Sequence, residues 1–74
     1  MQIYIMDIKS KVGIRIREVR EIVKMSQKDL AYAADLDRSY IASVENGKRN
    51  ISIVNLEKVA NALGITLSEL FKGI

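Results

Sequence analysis

The fold of this chain is decided by residues 26–49, which read SQKDLAYAADLDRSYIASVENGKR. Ser26 stands at a helix N-cap position and Asp29 lies three places on, which is a variant of the capping box. The pair predicts a helix over residues 27–33. Asp35 then falls at a corner where the chain needs a left-handed residue, a conformation that aspartate tolerates better than most residues. The first half of the stretch therefore predicts a short helix that ends in a tight turn.

A second helix follows the corner. It is predicted over residues 38–46, with Asp37 as its N-cap and Gly47 as its stop. Ile41 and Val44 lie three residues apart and form its inward stripe. Two short helices joined in this way have the layout of a helix-turn-helix, in which one helix braces across the DNA backbone and the next enters the major groove.

The sequence before this stretch predicts a first helix that starts near Asp7. Its inward face is defined by apolar residues at three- and four-residue spacing: Ile8, Val12, Ile16, Val19 and Val23. Gly13 lies inside this helix and is expected to weaken it by about 1 kcal/mol relative to alanine.

The sequence after the stretch predicts two more helices. Ser52 caps a fourth helix that ends at Gly64, and a capping box formed by Thr66 and Glu69 starts a short fifth helix that ends near Phe71. No proline and only four glycines interrupt the pattern. The fold class is therefore expected to be all-α, a compact bundle of five helices joined by short loops.

Composition limits the classes of protein to consider. Seventy-four residues with a net charge of +3 make one domain, predicted over residues 1–74, and permit a polyanionic partner. The absence of cysteine and histidine excludes disulfides, thiolate chemistry and ordinary zinc sites, so no cofactor or metal is expected. The apolar runs are too short to cross a bilayer, and residues 1–8 lack the features of a signal peptide. We expect a cytoplasmic location and no contact with a membrane.

The third predicted helix carries residues that can contact base edges. With Ile41 and Val44 inward, its N-terminal half presents Arg38, Ser39 and Ser43 outward. Arginine can bind guanine O6 and N7 with two hydrogen bonds, and serine can bond to several bases. The same residues could instead be small surface side chains with no function, and the helix alone does not decide between the two readings.

Residues on either side of this helix favour DNA. Gln27 begins the second helix, where its side chain and the free backbone N–H groups can hold a phosphate. After the third helix comes a polar and basic loop that can touch the same backbone: Asn46, Gly47, Lys48, Arg49 and Asn50. A single run of charged residues is often just a solvated face. Two elements able to bind phosphate, one on either side of the same helix, are harder to explain in that way.

Glu45 is an acid on a helix expected to face DNA, where it would repel the phosphates. Its place beside Ile41 and Val44 allows it to turn toward the first helix, where Arg20 flanks the apolar stripe. We predict an ion pair between Arg20 and Glu45, which would be costly to break by removing one partner. The alternative is that both side chains face water.

The chain resembles the Cro/C1-type helix-turn-helix family of phage and bacterial repressors. The likeness covers about residues 12–71 and rests on these segments: Gln27, 30–31 (LA), 36–41 (LDRSYI), 45–47 (ENG), 56–60 (LEKVA) and 62–64 (ALG). Within the family, residues 37–58 (DRSYIASVENGKRNISIVNLEK) are similar to the controller proteins of restriction–modification systems. Those are small dimeric regulators of their own and the endonuclease's promoters.

The resemblance implies a lambda-repressor-like fold and a set of roles. Base contacts are implied for Arg38, Ser39 and Ser43, and phosphate contacts for Gln27 and the Asn46 region. A position facing DNA is implied for three further residues: Tyr40, Arg49 and Asn50. The chain departs from the family at Asp35, where glycine is usual, and in the N-terminal extension, residues 1–7, which the shared pattern does not cover.

A single recognition helix reads only a few base pairs, so we expect a homodimer on a pseudo-palindromic operator of double-stranded DNA. The segment 66–74 is the predicted dimerisation region, with Ile53, Leu67 and Phe71 as interface residues; Leu67 and Leu70 could instead pack beneath the fifth helix. We expect no second domain and therefore no small-molecule ligand. An activator would also contact RNA polymerase, but the sequence selects no residues for that contact.

Two other functions stay open at this level. An enzyme is not expected, because the sequence shows no paired carboxylates that converge on a pocket. The same five helices could form a phage-type repressor or an antitoxin, or a protein-interaction module that binds no DNA. In an interaction module, neutralising Arg38, Lys48 and Arg49 would have little consequence.

Overall fold

The computed structural model describes residues 7–74. They form five helices: α1 (Ile8–Ile22), α2 (Gln27–Ala34), α3 (Arg38–Glu45), α4 (Ile53–Leu63) and α5 (Leu67–Leu70). The predicted all-α architecture is confirmed, with α2 one residue longer and α3 one residue shorter than predicted. Residues 1–6, most of the predicted N-terminal extension, lie outside the described residues. None of these five helices has the length and hydropathy needed to span a bilayer.

Side-chain caps start most of the helices. Asp29 N donates to Ser26 Oγ at 2.9 Å and Ser26 N donates to Asp29 Oδ2 at 2.9 Å, so the first capping box is complete. Thr66 and Glu69 repeat the arrangement at the start of α5. The backbone N–H groups of Ser26 and Thr66 hold the pKa values of the Asp29 and Glu69 carboxyls below their usual range. Asp37 occupies the predicted N-cap position of α3, but its side chain makes no cap hydrogen bond there.

The corner between α2 and α3 has the predicted left-handed backbone. Asp35 has φ 56° and ψ 48°, and its N–H donates to carbonyls of the last turn of α2. The turn after α1 holds a second left-handed residue, Lys24, with φ 65°. No sequence pattern pointed to Lys24, because lysine has no special tolerance of positive φ.

The core lies where the helices meet. Its largest fully buried side chains come from every helix: Ile16, Leu30, Ile41, Val44, Val59 and Leu70. The prediction of the inward face of α1 is confirmed for its middle, where Val12, Ile16 and Val19 are buried. It is wrong at the two ends, since Ile8 is 61% exposed and Val23 is 40% exposed. Both residues lie at the ends of α1, where the stripe runs past the helices that cover it.

Gly13 sits where α1 crosses α3 at short range. A Cβ at this position would lie 2.2 Å from the carbonyl oxygen of Val44 and 2.8 Å from that of Glu45, which is closer than such atoms can approach. The sequence presented Gly13 only as a weak point of α1. The structure shows that its missing side chain lets the C-terminal end of α3 rest directly on α1.

Candidate nucleic-acid interface

The helix α3 turns its apolar stripe inward and leaves a polar face outside. Ile41 and Val44 are each 1% exposed. On the other side, Arg38 and Ser39 are exposed in the first turn, and Ser43 is half-buried. The hydroxyl of Ser43 donates to the backbone carbonyl of Tyr40 at 2.8 Å, which leaves its oxygen free to accept a hydrogen bond. The three residues predicted to read bases thus share the outer face of one short helix.

The loop after α3 has a fixed path and exposed side chains. Lys48 N and Arg49 N both donate to the carbonyl of Ser43, at 3.0 and 3.3 Å, so the chain wraps over the end of the helix. Gly47 takes φ 74° there, and a Cβ on it would lie 2.5 Å from Ser10 Oγ, so the loop also rests against α1. The predicted phosphate-contacting residues of this loop are exposed: Asn46, Lys48, Arg49 and Asn50.

Tyr40 connects α3 to both the loop after it and α4. Its hydroxyl oxygen accepts a hydrogen bond from Asn55 Nδ2 at 3.1 Å. The guanidinium carbon of Arg49 lies 5.0 Å from the centre of the Tyr40 ring, within the range of a cation–π interaction. Tyr40 is half-buried and packs against the core, so Arg49 is held close to α3.

Arg20 and Glu45 form a buried ion pair. Arg20 Nε and Nη2 donate to the two Glu45 carboxylate oxygens at 2.7 and 3.0 Å, in a bidentate arrangement. Arg20 Nη1 also donates to the carbonyl of Met25 at 2.8 Å. The hydrogen bonds from Arg20 to Glu45 raise the pKa of the guanidinium above its usual range. The acid on α3 is therefore paired beneath the surface and does not oppose a polyanion.

Gln27 joins this ion pair from the start of α2. Its Nε2 donates to Glu45 Oε1 at 3.1 Å. The Gln27 side chain, which was expected to contact phosphate, is therefore hydrogen-bonded to the C-terminal end of α3. Its backbone N–H lies in the free first turn of α2, directly after the Ser26 cap. The hydrogen bond to Glu45 fixes the start of α2 relative to the end of α3.

The exposed side-chain charges on α3 and on the loop after it are positive. Between residues 38 and 50 the side-chain charges are those of Arg38, Lys48 and Arg49, which are exposed, and Glu45, which is neutralised by Arg20. Asp35 and Asp37 are exposed at the corner just before α3. The positive charges therefore lie on α3 and the loop after it, and the negative charges lie at the corner that leads into α3.

The predicted dimer residues do not share one environment. Ile53 is 73% exposed at the start of α4, and its neighbour Val54 is also exposed. Leu67 and Phe71 are half-buried against the core, so they offer only part of their surface to a partner. Leu70 is fully buried, as the alternative for that residue required.

The tertiary roles of three residues were missed from the sequence. Arg15 donates through Nε and Nη2 to the carbonyls of Leu70 and Glu69, both at 2.9 Å, and so fastens α5 to α1. Lys9 lines the same apolar groove as Arg49, a groove of about 380 Å³. Asn55 supports Tyr40. The hydrogen bonds of Arg15 and Asn55 reach residues at least 15 positions away, and helical periodicity gives no signal at that distance.

Comparisons with known proteins agree with this geometry. Residues 16–70 match the family model described as helix-turn-helix. The control protein C.MunI from a Mycoplasma species is 54% identical over 69 residues, which cover 92% of this chain and 93% of that protein.

Solved structures give the same result. The restriction–modification controller protein C.AhdI from Aeromonas hydrophila superposes with a TM-score of 0.83 at 49% identity, covering 85% of this chain and 96% of that one. The controller protein C.Esp1396I, solved as a tetramer with its natural 35-base-pair operator, superposes with a TM-score of 0.82 at 38% identity, covering 86% of this chain and 84% of that one. This chain therefore belongs to the helix-turn-helix family and, within it, to the controller proteins of restriction–modification systems.

Proposed function

We propose that this protein is a sequence-specific DNA-binding transcription regulator that controls a restriction–modification system. The observation that carries the proposal is the outer face of α3. Arg38 and Ser39 are exposed in its first turn, and the exposed cations Lys48 and Arg49 follow it. A similar controller protein was solved on its operator, which supports the same partner here.

The mechanism follows from the two kinds of contact on this surface. The first turn of α3 enters the major groove, where Arg38 donates to a guanine edge and the two serines meet neighbouring bases. The start of α2 contacts phosphates through Gln27, and the loop after α3 contacts them through the polar residues 46–50. The buried Arg20–Glu45 pair holds these two phosphate-contacting elements at a fixed distance from each other. No step of this mechanism breaks a covalent bond, so we assign no enzymatic activity.

We propose that the protein binds as a homodimer. A twofold axis would place two α3 helices in successive major grooves about 34 Å apart and double the length of sequence read. The exposed Ile53 side chain, with the half-buried Leu67 and Phe71, supports an interface at the α4–α5 end of the molecule. Occupancy of the promoter would then rise with protein concentration, because dimerisation and binding are coupled.

A selection of bound fragments from random double-stranded DNA tests this function. We expect the recovered sequences to share a pseudo-palindrome with half-sites about 10 base pairs apart, centre to centre. Sedimentation of the protein on that sequence should give an even number of protomers per duplex. Recovery of no common sequence would contradict the proposal and favour the interaction module. A common sequence without symmetry would retain DNA binding and contradict the dimer.

A further inference from the structure

We infer that Asn55 is a positioning residue for the DNA-binding surface: its amide holds Tyr40, and the Tyr40 ring holds Arg49. The inference rests on the proposed function for its role in DNA binding. The side-chain arrangement itself can be tested in the free protein.

Asn55 is held in place by its own backbone as well as by its contact with Tyr40. Its backbone N–H donates to the Ser52 hydroxyl at 3.1 Å, which caps the first turn of α4. The side-chain amide then donates to the Tyr40 hydroxyl oxygen at 3.1 Å, 15 residues away in sequence. Both side chains are half-buried. A fixed donor on α4 therefore sets the position of a ring on α3.

The direction of this hydrogen bond has a chemical consequence. A tyrosine hydroxyl has one proton to donate and can also accept. Because Asn55 supplies the donor, the proton of Tyr40 is left for another acceptor. Tyr40 lies between the base-reading residues of α3 and the basic loop, so a phosphate oxygen of bound DNA is the acceptor within reach of that surface. The Asn55 amide therefore leaves the hydroxyl proton of Tyr40 available for donation to a phosphate.

The second link is from the ring to Arg49. The guanidinium lies over the Tyr40 ring at 5.0 Å, and this contact reduces the number of positions that a long, exposed side chain can occupy. If Asn55 releases the ring, Arg49 loses its platform and must be ordered when DNA binds. Phosphate contacts carry no sequence information. The loss should therefore weaken binding to all sequences to a similar degree.

The experiment compares Asn55→Ala with the matched control Asn61→Ala, an exposed asparagine of the same helix. Each variant is made in the wild-type and the Tyr40→Phe backgrounds. Affinity is measured on the selected operator and on an unrelated duplex of the same length. Asn55→Ala should weaken both by about fivefold, the worth of one hydrogen bond. The same change should have little effect in the Tyr40→Phe background, and Asn61→Ala should have little effect in either.

Proton NMR of the free protein gives a readout that does not need DNA. A ring close to a guanidinium shifts the Arg49 side-chain signals upfield, and Asn55→Ala should move them toward random-coil values. Unchanged Arg49 signals, or an equal affinity loss in both backgrounds, would overturn the inference. If wild-type protein bound no duplex, the proposed function would fail while the NMR result still decided the positioning. Should Asn55→Ala unfold, Asn55→Ser serves as the second variant.

Discussion

Replacing either Arg20 or Glu45 by alanine should lower the free energy of unfolding by about 3–5 kcal/mol. The pair is buried, with side-chain exposures of 11% and 2%, and its charges are fully hydrogen-bonded. Removing one partner leaves the other charge buried without compensation. A domain of this size has a total stability of only about 5–10 kcal/mol, so either variant should lose much of it. Urea unfolding followed by circular dichroism measures the effect.

The chain offers a matched control for this prediction. Arg17 and Glu21 form a surface pair at 3.6 Å, with side chains 60% and 59% exposed, and Arg17→Ala should cost less than about 0.5 kcal/mol. The double variant Arg20→Ala with Glu45→Ala should be less destabilised than the two single alanine losses added together, because no buried charge is left unpaired. Additive losses would show that the two side chains do not act as a pair.

Replacing Gly13 by alanine should destabilise the protein by about 3 kcal/mol, the upper end for an overpacked site. Helix propensity alone predicts the opposite sign, a gain of about 1 kcal/mol, because alanine is the better helix former. The added methyl group would lie 2.2 Å from the Val44 carbonyl oxygen, which belongs to the backbone and cannot turn aside. Relief requires α1 and α3 to move apart, which would also disturb the Arg20–Glu45 pair.

Thermal and urea unfolding of Gly13→Ala decide between the two signs. The control is Gly64→Ala, at a site with a positive φ of 75° and no neighbouring atom within 4 Å of an added Cβ. Backbone strain alone should cost about 1 kcal/mol there. A Gly13→Ala protein as stable as the wild type, or more stable, would contradict the close crossing of α1 and α3.

Much of the fold was predictable because its signals are local. The capping boxes at Ser26 and Thr66 act over three residues, and the left-handed corner at Asp35 is one residue. The contact between Arg20 and Glu45 was predicted over 25 residues because a misplaced acid needed a partner, and α1 offered Arg20 beside its apolar stripe. An electrostatic conflict in the sequence therefore pointed to a tertiary contact.

The remaining features depend on how the helices cross, and no local pattern encodes that. Gly13 is a weak helix residue in the sequence, and its need for close backbone approach between α1 and α3 becomes visible only once the two helices are packed. Asn55 is one of several polar residues on α4 until the fold brings it to Tyr40. The exposure of Ile8 and Val23 has the same origin, because periodicity marks a face but not how far the neighbouring helices cover it.

We propose that the outer face of α3 reads DNA bases while the loop after it holds the backbone. Binding isotherms of Arg38→Ala and Arg49→Ala test this division of roles, on the selected operator and on versions with one base pair changed. Arg38→Ala should cost about 1–3 kcal/mol on the operator and abolish discrimination at one base position. Arg49→Ala should weaken every duplex to a similar degree and reduce the salt dependence by about one phosphate contact. Affinities of both variants equal to that of the wild type would contradict DNA recognition through this surface.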